Sequence, residues 1–570
     1  MLEDGIVQSI SEAENFVKEF RTRKSQSLII APLLIFPEGR IRLGLAMEGS
    51  VLSRIFPVDR EIFSPLAEIF EDKEIQKVGV HLVDIYCAIR HSLGVAMAGM
   101  FDLEIADRLL LAGLELDHSH EGLLKRRLNK GLPEDAQGWF HTTIELLDQV
   151  RTEIKSKELE KVWQIERNAQ PAFCEMHYQG MKLSRPKWIK LMQKNQAEMQ
   201  KAQAELLDFL GPICQRSEEG RPLINLDSPQ QVLGALREMQ MRTPDGKLIE
   251  ATDKSTLLTI SHLPPIQSLL RYRAAEFGFT RFGHNYLDAC DKDDRIHFNV
   301  NQNGTASGRP TTFNKLNCLN TPKKGGYREA FVAGEGKKLT KADYNAIELR
   351  ILAQGSQDPA MLEVFNSGKD YHQSFASDMF GRPVERHDPL RDGVKKVAYG
   401  IPYGQSVRGV HLELCEQGYA GTLQDTQELY TKYAVKVPRM IAFLNAVGSL
   451  AIRDRYLRNN NGRLRYWAGP VEGQRQEYWE NAVRRSAASF PGQSTNADFM
   501  KVAIARIWQE ILDRKWLGRV WMSNMRFDDL LLEADDCLAD EAYSLQCKHM
   551  TEAAQEMLPS VPIVLIGGIL

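Results

Sequence analysis

The sequence lacks the features that mark several specialised classes of protein. Its eight cysteines include no Cys-x-x-Cys pair and no histidine cluster beside them, which argues against a zinc site and favours a reducing compartment. The N-terminus has no basic segment followed by an apolar one, so we expect no signal peptide. The longest apolar run, residues 27–36, is too short to span a bilayer. We therefore expect an intracellular protein that does not engage a membrane.

A strong charge of either sign is also missing. The net charge is −3 over 570 residues, of which 43% are hydrophobic and 26% charged, as is typical of a globular protein. A nucleic-acid partner would have to be held by local basic patches, because there is no global positive field. The length predicts roughly three to five domains or sub-domains.

What is present is concentrated in three stretches of the second half. In the first, residues 339–350, a short apolar run ends at Asp343 and gives way to a helical pattern that holds Glu348. The second places two cations and then two aromatic residues at four-residue steps, at Arg391, Lys395, Tyr399 and Tyr403. On a helix each step drifts by only about 40°, so these side chains share one face. Cations followed by rings suit a ligand with phosphates and a base, which is a nucleotide.

The third stretch, residues 521–533, holds a second pair of acids. Apolar runs flank Asp528 and Asp529, as in a β-hairpin whose tight turn carries both. Adjacent carboxylates repel each other, so a bound cation would stabilise them. A solvated surface turn is the alternative for this stretch alone, but a fold that brings Asp343 to Asp528 accounts for both acidic positions.

Shorter patterns predict local structure. Residues 296–302 alternate like one strand. Ser228 begins a helix with a Ser-x-x-Gln start. Pro402 should break the helical pattern just before Tyr403, because proline removes an amide donor and clashes with the preceding turn.

Together these stretches resemble the family A DNA polymerases, the bacterial DNA polymerase I type. Residues 343–350 resemble motif A, residues 391–404 motif B and residues 527–529 motif C of that family. The resemblance runs from about residue 160 to the end of the chain. It implies an α/β and α+β multidomain fold, in which a right-hand polymerase of thumb, palm and fingers follows an RNase H-like 3′–5′ exonuclease-like domain.

The resemblance also sets the domain boundaries that we expect. Residues 1–155 would form the exonuclease-like domain and residues 156–570 the polymerase domain. Within the latter, the thumb would cover about 170–285, the palm about 286–369 and 500–570, and the fingers about 370–499. We expect no 5′-nuclease domain, because nothing precedes the exonuclease-like region.

The implied activity is template-directed DNA synthesis, in which dNMPs are added to a primer 3′-OH by two-metal-ion phosphoryl transfer and pyrophosphate is released. Asp343 and Asp528 would be catalytic and, with the backbone carbonyl of Tyr344, would hold two Mg²⁺ ions, for which Mn²⁺ can substitute. Asp529, which stands where the family has glutamate, would also be catalytic, and Lys395 would protonate the leaving pyrophosphate. We expect a monomer that binds primer-template DNA and dNTPs in the cytoplasm or nucleoid, with accessory replication factors as further candidate partners.

Other residues are assigned to the substrates by the same resemblance. The nucleotide-binding residues would be Arg391, Lys395, Tyr399, His372 and Glu348, of which Glu348 blocks a 2′-hydroxyl. The DNA-binding residues would be Arg309, Asn320, Tyr403, Arg485 and Gln493. Many members of the family have Phe where this chain has Tyr399, and the added hydroxyl predicts poor rejection of dideoxynucleotides. Phe527 stands where the family has a histidine, and it cannot donate a hydrogen bond to the primer phosphate.

The N-terminal region departs from the family pattern in a way that bears on proofreading. The exonuclease motif would begin with Asp-x-Glu on the first strand, but residues 29–34 contain no carboxylate. The candidates for the remaining metal ligands are Asp84, Asp102, Asp107 and Asp148. Because the two metal ions of such a site need about four carboxylates, we expect an exonuclease-like domain without activity.

Two alternatives stay open. A single-subunit, phage-type RNA polymerase shares the palm and the Arg-x3-Lys pattern, but Glu348 argues against a ribonucleotide substrate. A non-catalytic DNA-binding relative would have kept the grip on DNA alone. The presence of Asp343, Asp528, Arg391 and Lys395 argues against it, because grip alone needs no metal carboxylates.

Overall fold

The short apolar runs near the N-terminus assemble into a mixed six-stranded sheet. The computed structural model describes residues 6–23, 26–31, 34–35, 41–48, 53–216, 218, 222–244, 246–312, 316–416, 419 and 421–570. Its first elements are α1 (Ile10–Thr22), β1 (Ser27–Ile30), β2 (Leu34–Ile35), β3 (Ile41–Met47), β4 (Ser53–Pro57), α2 (Arg60–Phe63), α3 (Ala67–Glu71), β5 (Gln76–Gly79), α4 (Leu82–Leu93), β6 (Met100–Asp102), α5 (Leu103–Leu110), α6 (His120–Leu128) and α7 (Ala136–Ser156). The strand order is β2-β3-β1-β5-β6, with β4 added on β3.

At the centre of this sheet the first apolar runs form neighbouring strands. β1 pairs antiparallel with β3 and parallel with β5. All four residues of β1 are buried, because helices cover the sheet and its apolar side chains face a core on each side. Residues 32–33, which belong to the same apolar run, lie outside the described residues.

A helical segment follows the sheet. Its elements are α8 (Glu160–Gln179), β7 (Met181–Leu183), α9 (Arg185–Leu210), α10 (Pro229–Glu238), α11 (Lys254–Leu258), α12 (Pro264–Arg281) and α13 (His284–Asp288). The long helices α9 and α12 pack on one another and share a separate apolar core with α10, which includes Leu206, Leu236 and Leu269. The predicted start of α10 is confirmed, since the Ser228 hydroxyl accepts a hydrogen bond from the Gln231 N–H at 3.4 Å.

The prediction of one strand over residues 296–302 is wrong. The structure has two short strands there, β8 (Arg295–Ile296) and β9 (Val300–Asn301). β8 pairs with β7, whereas β9 pairs with β10 (Thr311–Thr312) in another sheet. Beyond β8 the chain turns away from β7. There Gln302 donates hydrogen bonds to Glu166 of α8, at 2.8 Å to its carbonyl and 2.7 Å to its carboxylate.

The rest of the chain surrounds a second sheet. Its elements are β11 (Phe331–Val332), β12 (Lys337–Tyr344), α14 (Ile347–Ser356), α15 (Pro359–Asn366), α16 (Tyr371–Phe380), α17 (Pro389–Gly400), α18 (Val407–Glu416), α19 (Leu423–Lys436), α20 (Pro438–Asp454), β13 (Tyr456–Arg458), β14 (Leu464–Tyr466), α21 (Gln476–Asp513), β15 (Val520–Arg526), β16 (Asp529–Asp535), α22 (Ala539–Met557) and β17 (Leu565–Ile569). The sheet has the order β15-β16-β12-β17. Helices α21 and α22 pack against each other, and α21 also contacts α8, α14 and α20.

Within the described ranges no single helix has the length and apolar character to cross a bilayer. Taken together, α19 and α20 have the length and the apolar composition of a membrane span, but the two helices are bent by 92° relative to each other.

A buried ion cluster joins α8, the β13–β14 hairpin and α21. Lys501 donates to the Glu166 carboxylate at 2.6 Å, and Arg463 donates to Glu166 at 2.5 Å and to Asp498 at 2.7 Å. All four side chains are fully buried. Although burial raises it, the charges of Lys501 and Arg463 hold the pKa of Glu166 below its ordinary value. Two cations balance two carboxylates, so the cluster is stable only as a complete set.

Loss of the Glu166 charge should therefore destabilise the protein. We expect Glu166→Gln to reduce the free energy of unfolding by about 3–5 kcal/mol, because it leaves a buried cation uncompensated. Glu145→Gln, which removes an exposed partner of Lys130, should change the stability by less than about 1 kcal/mol. Thermal unfolding of both variants beside the wild type measures the difference. Equal melting temperatures for the two variants would contradict this account of the cluster.

Candidate active site

Two strands and one turn bring the acidic residues of the sequence stretches together. β12 pairs antiparallel with β16, so that Asp343 stands opposite Asp529. Asp528 lies in the turn between β15 and β16, where its carbonyl accepts a hydrogen bond from the Tyr344 N–H at 3.0 Å. The turn has only two residues, and the first of them, Phe527, has a left-handed backbone with a φ of 61°. Asp343 and Asp528 thus lie at one end of the sheet, and Asp529 opens β16 rather than sharing the turn.

Burial and mutual repulsion change the acidity of these carboxyl groups. Burial, followed by the negative charge of Asp343, raises the pKa of Asp528 to about 6. Burial also raises the pKa of Asp529. Among the described residues, the buried Oδ1 atom of Asp529 has no hydrogen-bond partner. A divalent cation would relieve the repulsion between these groups.

The same residues fit a Mg²⁺ site that a substrate completes. Mg²⁺ in phosphoryl-transfer sites is held by one or two carboxylates together with substrate phosphates and water, rather than by an all-protein cage. In the part of the chain that the structure describes, no three histidine, cysteine or carboxylate side chains form such a cage. Asp343 and Asp528 are carboxylates of the kind and number that such a site could use.

Cations lie beside the carboxylates at positions that the sequence analysis missed. The Lys341 ammonium lies 3.2 Å from Asp343 Oδ2 and 3.5 Å from Asp529 Oδ2. The Arg328 guanidinium lies 3.4 Å from the same Asp529 oxygen. Lys341 could have been found, because residues two apart on a strand point to the same face, which places it beside Asp343. The sequence carries no comparable signal for Arg328.

The face predicted from the four-residue spacing lies largely on α17. Lys395, Tyr399 and Tyr403 line one open cavity of about 540 Å³. The predicted helix break is confirmed, because α17 ends at Gly400, so Tyr403 lies on the turn beyond it. Tyr403 keeps its place beside the helix, since its N–H donates to the Tyr399 carbonyl at 3.4 Å.

The charged end of α17 carries an internal ion pair. Arg391 donates to the Asp370 carboxylate at 2.7 Å, and Asp370 also caps α16 by accepting from the Gln373 N–H. Lys395, one turn further along α17, is exposed. To bind a phosphate, Arg391 would have to exchange Asp370 for it, whereas Lys395 is already accessible.

Tyr399 connects α17 to the carboxylates. Burial, then the charges of Glu348, Asp528 and Asp343, raises the pKa of its hydroxyl well above the ordinary range. Its ring centroid lies 5.8 Å from that of His372 on α16. Burial lowers the pKa of His372 to about 3, so this imidazole is neutral and can offer a phosphate a hydrogen bond but no charge.

Glu348 joins two of the predicted DNA-binding residues. It accepts hydrogen bonds from the Arg309 guanidinium and from the Tyr403 hydroxyl. The Arg309 guanidinium also lies 5.1 Å from the centre of the Phe527 ring, within the range of a cation–π contact. The predicted nucleotide-binding carboxylate and two predicted DNA-binding groups therefore meet at one point.

The other three residues predicted to bind DNA have different neighbours from Arg309 and Tyr403. Gln493 on α21 accepts a hydrogen bond from the Ser307 hydroxyl at 3.3 Å, in the loop that carries Arg309. Arg485 packs under Gly404, where an added Cβ would lie 2.5 Å from the arginine Cγ. Asn320 is exposed at the end of a short turn, Cys318–Asn320, which sets it apart from these groups.

The four acidic candidates of the N-terminal region lie in different surroundings. Asp102 caps α5 and accepts from the Leu82 N–H at 2.8 Å. Asp107 accepts from His118 at 2.6 Å and from Arg127 at 2.8 Å. Asp84 and Asp148 are solvent-exposed.

Comparison with known proteins gives concordant results. A family model described as DNA polymerase family A matches residues 190–568. The thermostable DNA polymerase I of Thermus filiformis is 28% identical over 468 residues, which are 79% of this chain and 53% of that protein. The DNA polymerase I of Mycobacterium tuberculosis is 32% identical over 322 residues, 54% of this chain and 34% of that protein. The chain therefore spans about half the length of the Thermus relative.

A solved structure extends the likeness to the whole chain. The polymerase domain of Pol1 from M. smegmatis, in complex with DNA primer-template and dNTP, superposes with a TM-score of 0.83 at 25% identity. The match covers 99% of this chain and 98% of that one. Because the family model spans more than half of the sequence, the chain belongs to DNA polymerase family A.

Proposed function

We propose that the chain is a DNA-directed DNA polymerase, a nucleotidyltransferase that adds dNMPs to a primer 3′-OH and releases pyrophosphate. The observation that carries this proposal is the meeting of Asp343 and Asp528 at one end of the sheet. The related M. smegmatis domain, whose structure contains primer-template and dNTP, supports the same substrates here. We infer a monomer that acts in DNA replication or repair.

The carboxylates would hold the metal ions of the reaction. Asp343, Asp528 and the Tyr344 carbonyl would bind two Mg²⁺ ions, with Mn²⁺ as a substitute. When bound, the ions supply activation of the primer 3′-hydroxyl and stabilisation of charge at the α-phosphate. Asp529 contributes negative charge to the same place, although its shorter arm and its cationic neighbours set it apart from a direct ligand.

The face of α17 would bind the nucleotide. Arg391 and Lys395 would hold the β- and γ-phosphates through charge-assisted hydrogen bonds, and Lys395 would protonate the leaving pyrophosphate. The Tyr399 ring would stack on the base and sugar, with His372 donating a hydrogen bond to the triphosphate. Glu348 would occupy the space of a 2′-hydroxyl and so select dNTPs.

The DNA would lie against the groups that meet at Glu348. Arg309 and Gln493 would donate to the minor groove beside the primer end, where acceptors occupy nearly fixed places in every correct pair. Tyr403 would hold the templating position, with Arg485 beneath it and Asn320 at the margin of the groove. Arg309 must leave Glu348 to do so, which links DNA binding to the nucleotide site.

The domain assignment follows from these roles. We assign residues 1–155 to an RNase H-like, exonuclease-like domain and residues 156–570 to the polymerase. The α9–α12 segment serves as thumb, the β15-β16-β12-β17 sheet as palm and α16–α20 as fingers. The structural partners of Asp102 and Asp107 support an exonuclease-like domain that has no proofreading activity.

The two alternatives predict different substrates. A phage-type RNA polymerase would prefer ribonucleotides, and the position of Glu348 beside Tyr403 and Tyr399 disfavours it. A non-catalytic DNA-binding relative would bind duplex without extending it. Buried carboxylates that repel one another are costly for a protein that only grips DNA, and within the described residues the Oδ1 atom of Asp529 has no hydrogen-bond partner.

Primer extension tests the proposed function directly. A labelled primer–template is incubated with Mg²⁺ and dNTPs, with the wild type and with Asp343→Asn. We expect extension by the wild type and a loss of at least about 10³-fold in the variant, because one metal ligand is lost. The matched control is Asp378→Asn, which removes an exposed ion pair between Asp378 on α16 and Lys436 on α19. This variant should retain activity.

The same assay without dNTPs tests the N-terminal domain. The primer should keep its length, because no carboxylate set for exonuclease metals is expected there. Primer shortening would show that this domain is active. Duplex binding without extension by the wild type would favour the non-catalytic relative, and a preference for ribonucleotides would favour the RNA polymerase.

The Tyr399 hydroxyl should govern the use of dideoxynucleotides. We expect Tyr399→Phe to reject ddNTPs more strongly than the wild type, by about 10–100-fold, since one hydrogen bond to the substrate is lost. A competition between ddNTP and dNTP in primer extension measures the ratio. An unchanged ratio in the variant would contradict a role for the hydroxyl, and Tyr430→Phe on α19 serves as the control.

A further inference from the structure

Several cations neighbour the carboxylates of the candidate site. The acids are Asp343, Asp528 and Asp529. The cations beside them are Lys341 and Arg328, which contact Asp529, and Arg526, which stands opposite Asp529 in the β15–β16 hairpin. The charge of Lys323 also acts on Asp528, so the carboxylates are partly compensated before any metal ion binds.

Lys341 differs from Arg328 and Arg526 because it contacts a predicted metal ligand. Its ammonium lies 3.2 Å from Asp343 Oδ2, while Arg328 and Arg526 face Asp529. The side chain is 27% exposed, so the ammonium is partly solvated where it lies. A metal ion on Asp343 would lie within about 5 Å of this ammonium if the lysine stayed in place.

We propose that Lys341 is a tethered counter-ion of the catalytic carboxylates, which competes with divalent cations for Asp343 and thereby sets the metal concentration that the site requires. The inference rests on the proposed function, because it takes Asp343 as a metal ligand. Even with the full screening of bulk water, charges of +1 and +2 about 5 Å apart repel by an amount equivalent to at least about a tenfold change in affinity. Asp529 holds the ammonium at 3.5 Å, which keeps it beside the metal position.

Metal binding can be measured without catalysis. Mn²⁺ is titrated into metal-free protein, without DNA or nucleotide, and free Mn²⁺ is followed by electron paramagnetic resonance. The proteins are the wild type, Lys341→Met, Lys341→Gln, Lys341→Arg and Lys338→Met, with Asp343→Asn to identify the binding that belongs to this site. Lys338 lies on the same strand and pairs with Asp536, so it controls for the loss of a lysine from β12.

The expected result is selective. Lys341→Met and Lys341→Gln should bind Mn²⁺ about tenfold more tightly than the wild type, whereas Lys341→Arg and Lys338→Met should bind as the wild type does. Unchanged or weaker binding by both neutral variants, with melting temperatures that show them to be folded, would overturn the proposal. If one neutral variant fails to fold, the other decides.

A second readout separates this inference from the proposed function. In primer extension, the Mg²⁺ concentration for half-maximal rate should fall about tenfold in Lys341→Met. If the wild type does not extend primers, the proposed function fails while the Mn²⁺ comparison still decides the role of Lys341. If extension proceeds normally and the neutral variants bind Mn²⁺ no more tightly, only the counter-ion proposal fails.

Discussion

The antiparallel pairing of β12 with β16 determines the position of every other group in the candidate site. Its register places Asp343 opposite Asp529 and leaves Asp528 in the adjoining turn. Since successive side chains of a strand point to opposite faces, a shift of one residue would carry Asp343 to the other side of the sheet. The cations, α17 and the Glu348 contacts are all arranged around carboxylates that this register brings together.

The buried ion cluster extends that arrangement to the loop that carries Arg309. Lys501, which binds Glu166, also donates to the Gly308 carbonyl at 2.7 Å, next to Arg309. Gly308 has a φ of 80°, and an added Cβ would lie 2.5 Å from Arg463 Nη1. The loop thus approaches the cluster closely only because this residue is glycine. The buried ion cluster, which does not include Asp343 or Asp528, in this way holds the Arg309 loop in place.

The sequence was most informative where the spacing of residues along the chain determines the local structure. The acidic turn at Asp528 and the helical face of Lys395 and Tyr399 were predicted from local pattern, and the structure contains both. The ion cluster was not predicted, because Glu166 and Lys501 are far apart in sequence and only tertiary packing joins them. The two short strands over residues 295–301 were also missed, since hydrogen bonds to α8 outweigh local alternation there.

The most direct test of the central claim is whether Asp343 and Asp528 act as one unit. Single-turnover nucleotide incorporation would be measured for Asp343→Asn, Asp528→Asn and the double variant. If both carboxylates serve one metal-dependent step, the double variant should lose no more than about tenfold beyond either single variant. Losses that multiply, so that the double variant falls by the product of the two single effects, would contradict the account.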